Sequence, residues 1–325
     1  MYPTQGISKI QKQQMVTCES SNVKVIGVNG NFDDCQRMVK KILNDEDFKK
    51  TLLKKVAVNL NTANSINWGR ILPQILFHIH NYLEMANQGY IEMGQKVDLC
   101  IPTGNFGNVL SAIFAKTMDV PYDKIIVASN ENKVLHDFFS TGLYDLRSRK
   151  LIKTVSPAID ILVSSNLERL LWMQLGSNRV SELMQNLAQE RFFQVTPEEL
   201  EKVKSFNLES GWCNEEDCKS TMIEVWNNDK YMLDPHSSVA VKVAQEFSSE
   251  NPLLVCSTAH YSKFVEECKD IFESIDKIDN PSPHEGIEKC KTKKIIHEKT
   301  VDVNYDKICE ILTQFATEYF LGASY

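Results

Sequence analysis

A continuous apolar run of about 18 residues is missing from this 325-residue chain, so no segment reads as a membrane-spanning helix. A basic excess is missing too. Lys and Arg number 36 against 43 Asp and Glu, and the net charge of −7 argues against nucleic acid or an anionic membrane as a main partner. C-x-x-C pairs are absent. The nine cysteines are odd in number and scattered, most of them in apolar surroundings such as those of Cys100 and Cys256, which reads as a reduced intracellular protein. Cys213 and Cys218 are the closest pair, but no second ligand pair accompanies them, so no metal site is expected. Met1 to Gln5 lack the charged and apolar regions of a signal peptide. A cytoplasmic location is therefore expected, short of an organelle signal on a longer precursor. Internal repeats and low-complexity segments are lacking as well. What remains, 42% apolar and 24% charged residues, is an ordinary globular composition, long enough to bury roughly three quarters of its unfolded surface.

Residues 97 to 118 carry the most information. Val97 to Pro102 reads as a short buried strand and Val109 to Lys116 as an apolar helix. Between them lies Thr103-Gly104-Asn105-Phe106-Gly107-Asn108. Two glycines three apart allow a tight turn and close approach of a ligand, and the following helix offers unpaired N–H groups at its positive end. That combination suits an anion. The spacing is neither G-x-G-x-x-G nor G-x-x-x-x-G-K-[ST], so nucleotide readings lose their main support. Taken alone, the loop is equally compatible with an ordinary strand-to-helix turn.

Asn64-Ser65-Ile66-Asn67-Trp68-Gly69-Arg70 precedes a helix whose apolar positions Ile71, Ile75, Ile79 and Leu83 recur at four. Pro73 is tolerated only in its first turn, which puts the polar residues at the N-terminus. They form either a second anion site or simply a helix cap. His78 and His80 stand about 200° apart around this helix and do not share a metal.

Elsewhere Val23 to Val28 reads as a strand, Asp33 or Asp34 as the cap of the next helix, and Val97 to Ser129 as a βαβ unit. Residues 145–230 read as a helical region. Asp234-Pro235-His236-Ser237 opens another helix, and Pro252 to Cys256 is a strand running into Ser257-Thr258-Ala259-His260. Thr258 reads either as a cap or as a ligand hydroxyl; His236 and His260 read as structural histidines. Beyond residue 270 the pattern is a loop at 280–284, then a strand and an amphipathic helix. The class is α/β.

Four segments in this order, Asn64 to Arg70, Pro102 to Asn108, Asp234 to Ala240 and Ser257 to Phe264, resemble those of threonine synthases, a fold-type II family of pyridoxal-phosphate enzymes. The resemblance covers about residues 1–265. It implies a twisted, largely parallel sheet with helices on both faces, tryptophan-synthase-β-like, with its N-terminal part missing. Residues 1–60 would be a remnant of the smaller domain, and residues 61–325 the larger cofactor-binding domain with a helical insertion at about 145–230. The cofactor phosphate would lie on Gly104, Asn105, Phe106, Gly107 and Asn108, and Thr258 would face the pyridine nitrogen. Asn64, Ser65, Asn67 and Arg70 would hold the phosphate of an amino-acid-like substrate such as O-phosphohomoserine. Family members carry their Schiff-base lysine in a segment like Ser-Phe-Lys-Asp, followed by Ser-Gly-Asp-Thr-Gly. Neither occurs here. Asp47-Phe48-Lys49-Lys50 is a faint echo in a charged, helix-like run. The expectation is a lyase-family chain with no catalytic residue of its own, holding cofactor weakly or noncovalently, and with an exposed sheet edge that favours self-association or pairing with a missing N-terminal segment. A non-catalytic binding or signalling protein on the same scaffold, and an unrelated anion-binding α/β protein, stand as alternatives.

Overall fold

The computed structural model describes residues 1–5, 7–64, 67–274 and 281–322. The chain forms two units, Met1–Thr62 with Pro283–Tyr325, and Ala63–Ser282. The first unit begins with β1 (Tyr2–Pro3), α1 (Lys9–Val16), β2 (Gly27–Asn29), α2 (Phe32–Asn44) and α3 (Glu46–Val56). The second runs through α4 (Trp68–Asn87), β3 (Val97–Pro102), α5 (Gly107–Thr117), β4 (Tyr122–Ser129), α6 (Val134–Thr141) and β5 (Leu143–Asp145). It continues with α7 (Leu167–Leu175), α8 (Ser177–Glu190), β6 (Phe192–Gln194), α9 (Pro197–Val203), β7 (Leu208–Trp212), α10 (Glu215–Asp229), α11 (Pro235–Gln245), β8 (Leu253–Val255) and α12 (Lys269–Ser274). The chain then returns to the first unit as α13 (Glu285–Thr292), β9 (Thr300–Asp302) and α14 (Tyr305–Leu321).

In the first unit β2 lies between β1 and β9 in a parallel sheet, with Val28 opposite Val301. Val28, Ile42, Val301 and Ile308 form one buried cluster, and Leu52, Val56 and Ala316 seat α14 on α3. The C-terminal segment thus completes the sheet begun at residue 2, and the expected span of 61–325 for the larger unit is corrected to 63–282. The reason is the ladder: a three-residue strand has unpaired N–H and C=O groups, and those of β9 are met by β2. The α2 cap is likewise revised. Asn31 is the N-cap and Asp34 its partner in a capping box, each side chain accepting from the other's backbone N–H at 3.0 and 2.9 Å.

The core of the second unit is a four-stranded sheet in the order β7-β4-β3-β8, all parallel. Side chains alternate between its faces, so Leu99, Ile101, Ile125 and Val127 point toward α4, α5 and α6, while Cys100, Ile126 and Ala128 point toward α10 and α11. Helices cover both faces, as a parallel sheet requires. The stretch read as a helical region at 145–230 includes a strand of this sheet: β7 pairs with β4 from Leu208 opposite Ile125 to Trp212 opposite Ser129. The buried stripe of α4 is Ile71, Ile75, His78 and Tyr82, with Leu83 exposed at 41%. A spacing of strictly four drifts about 40° per step around a 3.6-residue helix, which carries Leu83 off the buried face and brings His78 onto it.

Candidate functional site

Because β7, β4, β3 and β8 run parallel, the segments that follow Trp212, Ser129, Pro102 and Val255 leave the same edge of the sheet. This carboxyl edge is where open parallel sheets place their ligands. The Gly104 loop and Thr258 therefore lie at one edge, after neighbouring strands joined by the Cys256 N–H to Cys100 O bond of 2.9 Å.

The loop is built differently from its glycine pattern. The left-handed residue is Phe106, with φ 67° and ψ 3°, and it serves as N-cap of α5. Its ring is fully buried and stacks on Phe139 at 5.9 Å, so Phe106 offers the edge only its backbone. Anchoring the ring in the core offsets the cost of a left-handed non-glycine residue. Gly104 is needed for space: a Cβ there would meet Ile159 Cα at 2.9 Å. Asn105 accepts the Gly107 N–H on Oδ1 at 2.9 Å. Among the described residues, the N–H groups of Gly104, Asn105, Phe106, Asn108 and Val109 have no protein acceptor. Five donors bracketing the positive end of an eleven-residue helix are suited to an oxyanion.

Asn108 binds inward as well. His78 Nε2 lies 2.8 Å from Asn108 Oδ1, 3.2 Å from its carbonyl and 3.2 Å from Ser111 Oγ. With two acceptors from Asn108 around it, Nε2 carries the proton. Nδ1 is buried without a partner, and burial lowers the His78 pKa. His78 was missed as a neighbour of the loop because the sequence weighs it only as a metal partner of His80, beside a regular apolar series.

Thr258 is exposed, and its N–H donates to Ser237 Oγ at 3.3 Å. Ser237 is held in turn by Asp234, the N-cap of α11, which is fully buried. The Asp234 carboxylate also accepts the His236 N–H at 3.0 Å and His236 Nδ1–H at 2.8 Å, while His236 Nε2 accepts the Ala158 N–H at 3.0 Å. Ser237 thus bonds to the aspartate rather than to the histidine, and the cluster fixes loops instead of forming a nucleophilic triad. Asn130 and Asn132, just after β4, are buried and bind Asp160 at 2.8 and 3.0 Å, fastening residues 152–160 at the same edge.

The α4 segment is not brought to the loop by its polar end. Asn67 is the N-cap, its Oδ1 accepting the Gly69 N–H at 2.8 Å, and Arg70 is exposed. Asn64 is exposed one turn earlier, and Ser65 lies outside the described residues. Trp68 packs edge-on against Phe114 of α5, whereas the contact with Asn108 is made by His78, further along the same helix. His80 is exposed on the other side. Lys116 is half-buried, and burial lowers its pKa. It sits in the last turn of α5 and donates to the Asp123 and Phe206 carbonyls, at the opposite end of that helix from the loop.

Threonine synthase-like 1 of Homo sapiens is 45% identical over 266 residues, 81% of this chain and 36% of the relative. The threonine synthase from yeast superposes with a TM-score of 0.84 at 31% identity, covering 98% of this chain and 64% of that one. The chain belongs to the threonine synthase family. A pyridoxal-phosphate-bound threonine synthase from Brucella melitensis superposes at 0.83 with 30% identity, over 97% of this chain and 64% of that structure. The fold is therefore the fold-type II arrangement, and the chain spans about a third of the length of its threonine synthase-like 1 relatives. No protein-family model matches the chain.

Proposed function

We propose that this chain binds pyridoxal 5'-phosphate through its phosphate at the start of α5, as part of a lyase-family site for a phosphorylated, amino-acid-like substrate such as O-phosphohomoserine. The observation that carries this is the set of five loop and helix N–H groups that have no protein acceptor among the described residues. The residues present fit the group: the donors lie within six residues at the start of α5, close packing on Ile159 keeps Gly104 free of a Cβ, and the exposed Thr258 hydroxyl stands at the same sheet edge for the ring nitrogen. Bound there, the cofactor supplies an electron sink for chemistry at an amino-acid carbon. The chain's own part is to hold the phosphate and orient the ring. Asn64, Ser65, Asn67 and Arg70 are assigned to the substrate phosphate on the sequence match alone. The first unit is taken as the counterpart of the family's smaller domain.

A binding role without catalysis by these 325 residues is the second reading, favoured by the lack of any segment like Ser-Phe-Lys-Asp in the sequence. Proton transfer at the reacting carbons needs a lysine within about 3–3.5 Å of them. Among the described residues no helix is long and apolar enough to cross a membrane, and cytoplasmic residence is our reading of the free thiols. Titration of the full chain with pyridoxal phosphate tests the proposal. Saturable binding that inorganic phosphate displaces is expected; binding insensitive to phosphate would remove the loop from the site.

A further inference from the structure

The two carbonyls at the front of the loop are tied down by a segment sixty residues downstream. Ser164 Oγ donates to Gly104 O at 2.8 Å. Asn166 donates twice to Asn105 O, from its backbone N–H at 3.0 Å and from Nδ2 at 3.1 Å, filling both lone pairs of that oxygen. Asn166 is fully buried. The segment is itself anchored, since Tyr144 accepts the Ser164 N–H at 2.9 Å and donates to Leu162 O at 2.7 Å, while its ring stacks on Phe193 at 5.0 Å.

Peptide planarity turns this anchoring into an orientation. In a trans peptide the C=O of one residue and the N–H of the next point in opposite directions. Fixing Gly104 O and Asn105 O against residues 164–166 therefore aims the Asn105 and Phe106 N–H groups away from that segment, and these are two of the five without a protein acceptor. A carbonyl released from this hold would be free to rotate its negative end into the anion's place.

We propose that Asn166 is a positioning residue for phosphate recognition, setting how strongly the loop prefers a phosphorylated ligand over its unphosphorylated counterpart. This rests on the phosphate-binding reading given above. The test is calorimetric titration of the full chain with pyridoxine 5'-phosphate and with pyridoxine, which carry no aldehyde to react with surface lysines. Asn166→Asp is nearly isosteric and keeps the backbone donor, but it cannot donate from the side chain and adds negative charge. It is expected to reduce the phosphate preference about tenfold while pyridoxine affinity stays within about twofold; Ser164→Ala should reduce the preference about threefold. A folded Asn166→Asp variant with the wild-type preference would overturn the proposal. Should that variant not fold, Ser164→Ala decides by the same ratio. A wild-type chain with no preference for the phosphorylated form would overturn the reading of the loop itself, and the role of Asn166 with it.

Discussion

Acidification should destabilise the second unit through His78. The imidazole is 2% exposed, with Nε2–H given to Asn108 and Nδ1 facing no acceptor, so protonation would bury a charge and an unsatisfied N–H. Burial lowers the folded-state pKa of His78, whereas the unfolded chain takes up the proton at about 6.5. Below that pH the unfolded state binds more protons. The contribution of His78 is therefore fully present well above pH 6.5 and is lost progressively as pH falls. If the folded imidazole stays neutral throughout, the loss is about 1.4 kcal/mol at pH 5.5 and about 2 kcal/mol at pH 5, a ceiling set by one proton. All four tryptophans, Trp68, Trp172, Trp212 and Trp226, lie in the second unit, so urea unfolding followed by tryptophan fluorescence reports it alone. His78→Gln keeps an amide donor for Asn108 and does not titrate. Between pH 7.5 and 5 the wild type should lose more than this variant, by up to about 2 kcal/mol. Parallel pH profiles for the two proteins would refute the argument.

Three further outcomes are expected. Gly104→Val should lower pyridoxal-phosphate affinity and cost about 1–3 kcal/mol, since its Cβ meets Ile159 Cα at 2.9 Å; a folded variant with unchanged binding would contradict the site. Asp234→Asn turns an amide toward the His236 and Ser237 donors and should cost about 2–4 kcal/mol in urea unfolding, and an unchanged midpoint would show that the cluster does not fix the Thr258 loop. Reduction of the chain with borohydride in the presence of pyridoxal phosphate, followed by peptide mapping, should label lysines diffusely. Stoichiometric labelling of one lysine together with phosphate release from O-phosphohomoserine would show that these 325 residues carry their own catalytic lysine.

Local signals make the β3-α5-β4 unit readable from the sequence alone. A continuous apolar hexamer, a turn with two glycines and an apolar helix each have a short-range cause, and their bounds agree with β3 and α5 to within about two residues. The edge strand β7 was hidden because Leu208-Glu209-Ser210-Gly211-Trp212 mixes polar residues and a glycine into five positions. Its place comes from pairing with β4, not from propensity. A strand was readable near β9, but its pairing with β2 joins residues across most of the chain's length, and no window of neighbouring residues contains that information.

The site divides in the same way. Thr258 and the Gly104 loop could be assigned to one region because both follow strands, and parallel strands share an edge. What orients the donors was not legible, because it depends on bonds between Asn105 and Asn166 and between Asn108 and His78, partners sixty-one and thirty positions apart. Phe106 makes the point most sharply. A sequence with two glycines in a loop directs attention to them as the residues able to take a positive φ, yet here the strained conformation falls on the phenylalanine between them. It does so because a fully buried ring against Phe139 contributes roughly 1.5–3 kcal/mol of burial, enough to outweigh about 1–2 kcal/mol of left-handed strain. The glycines are then free to answer to space rather than torsion, which is why Gly104 is fitted to Ile159. The loop's donors are thus set by the core beneath it and by the segment beside it.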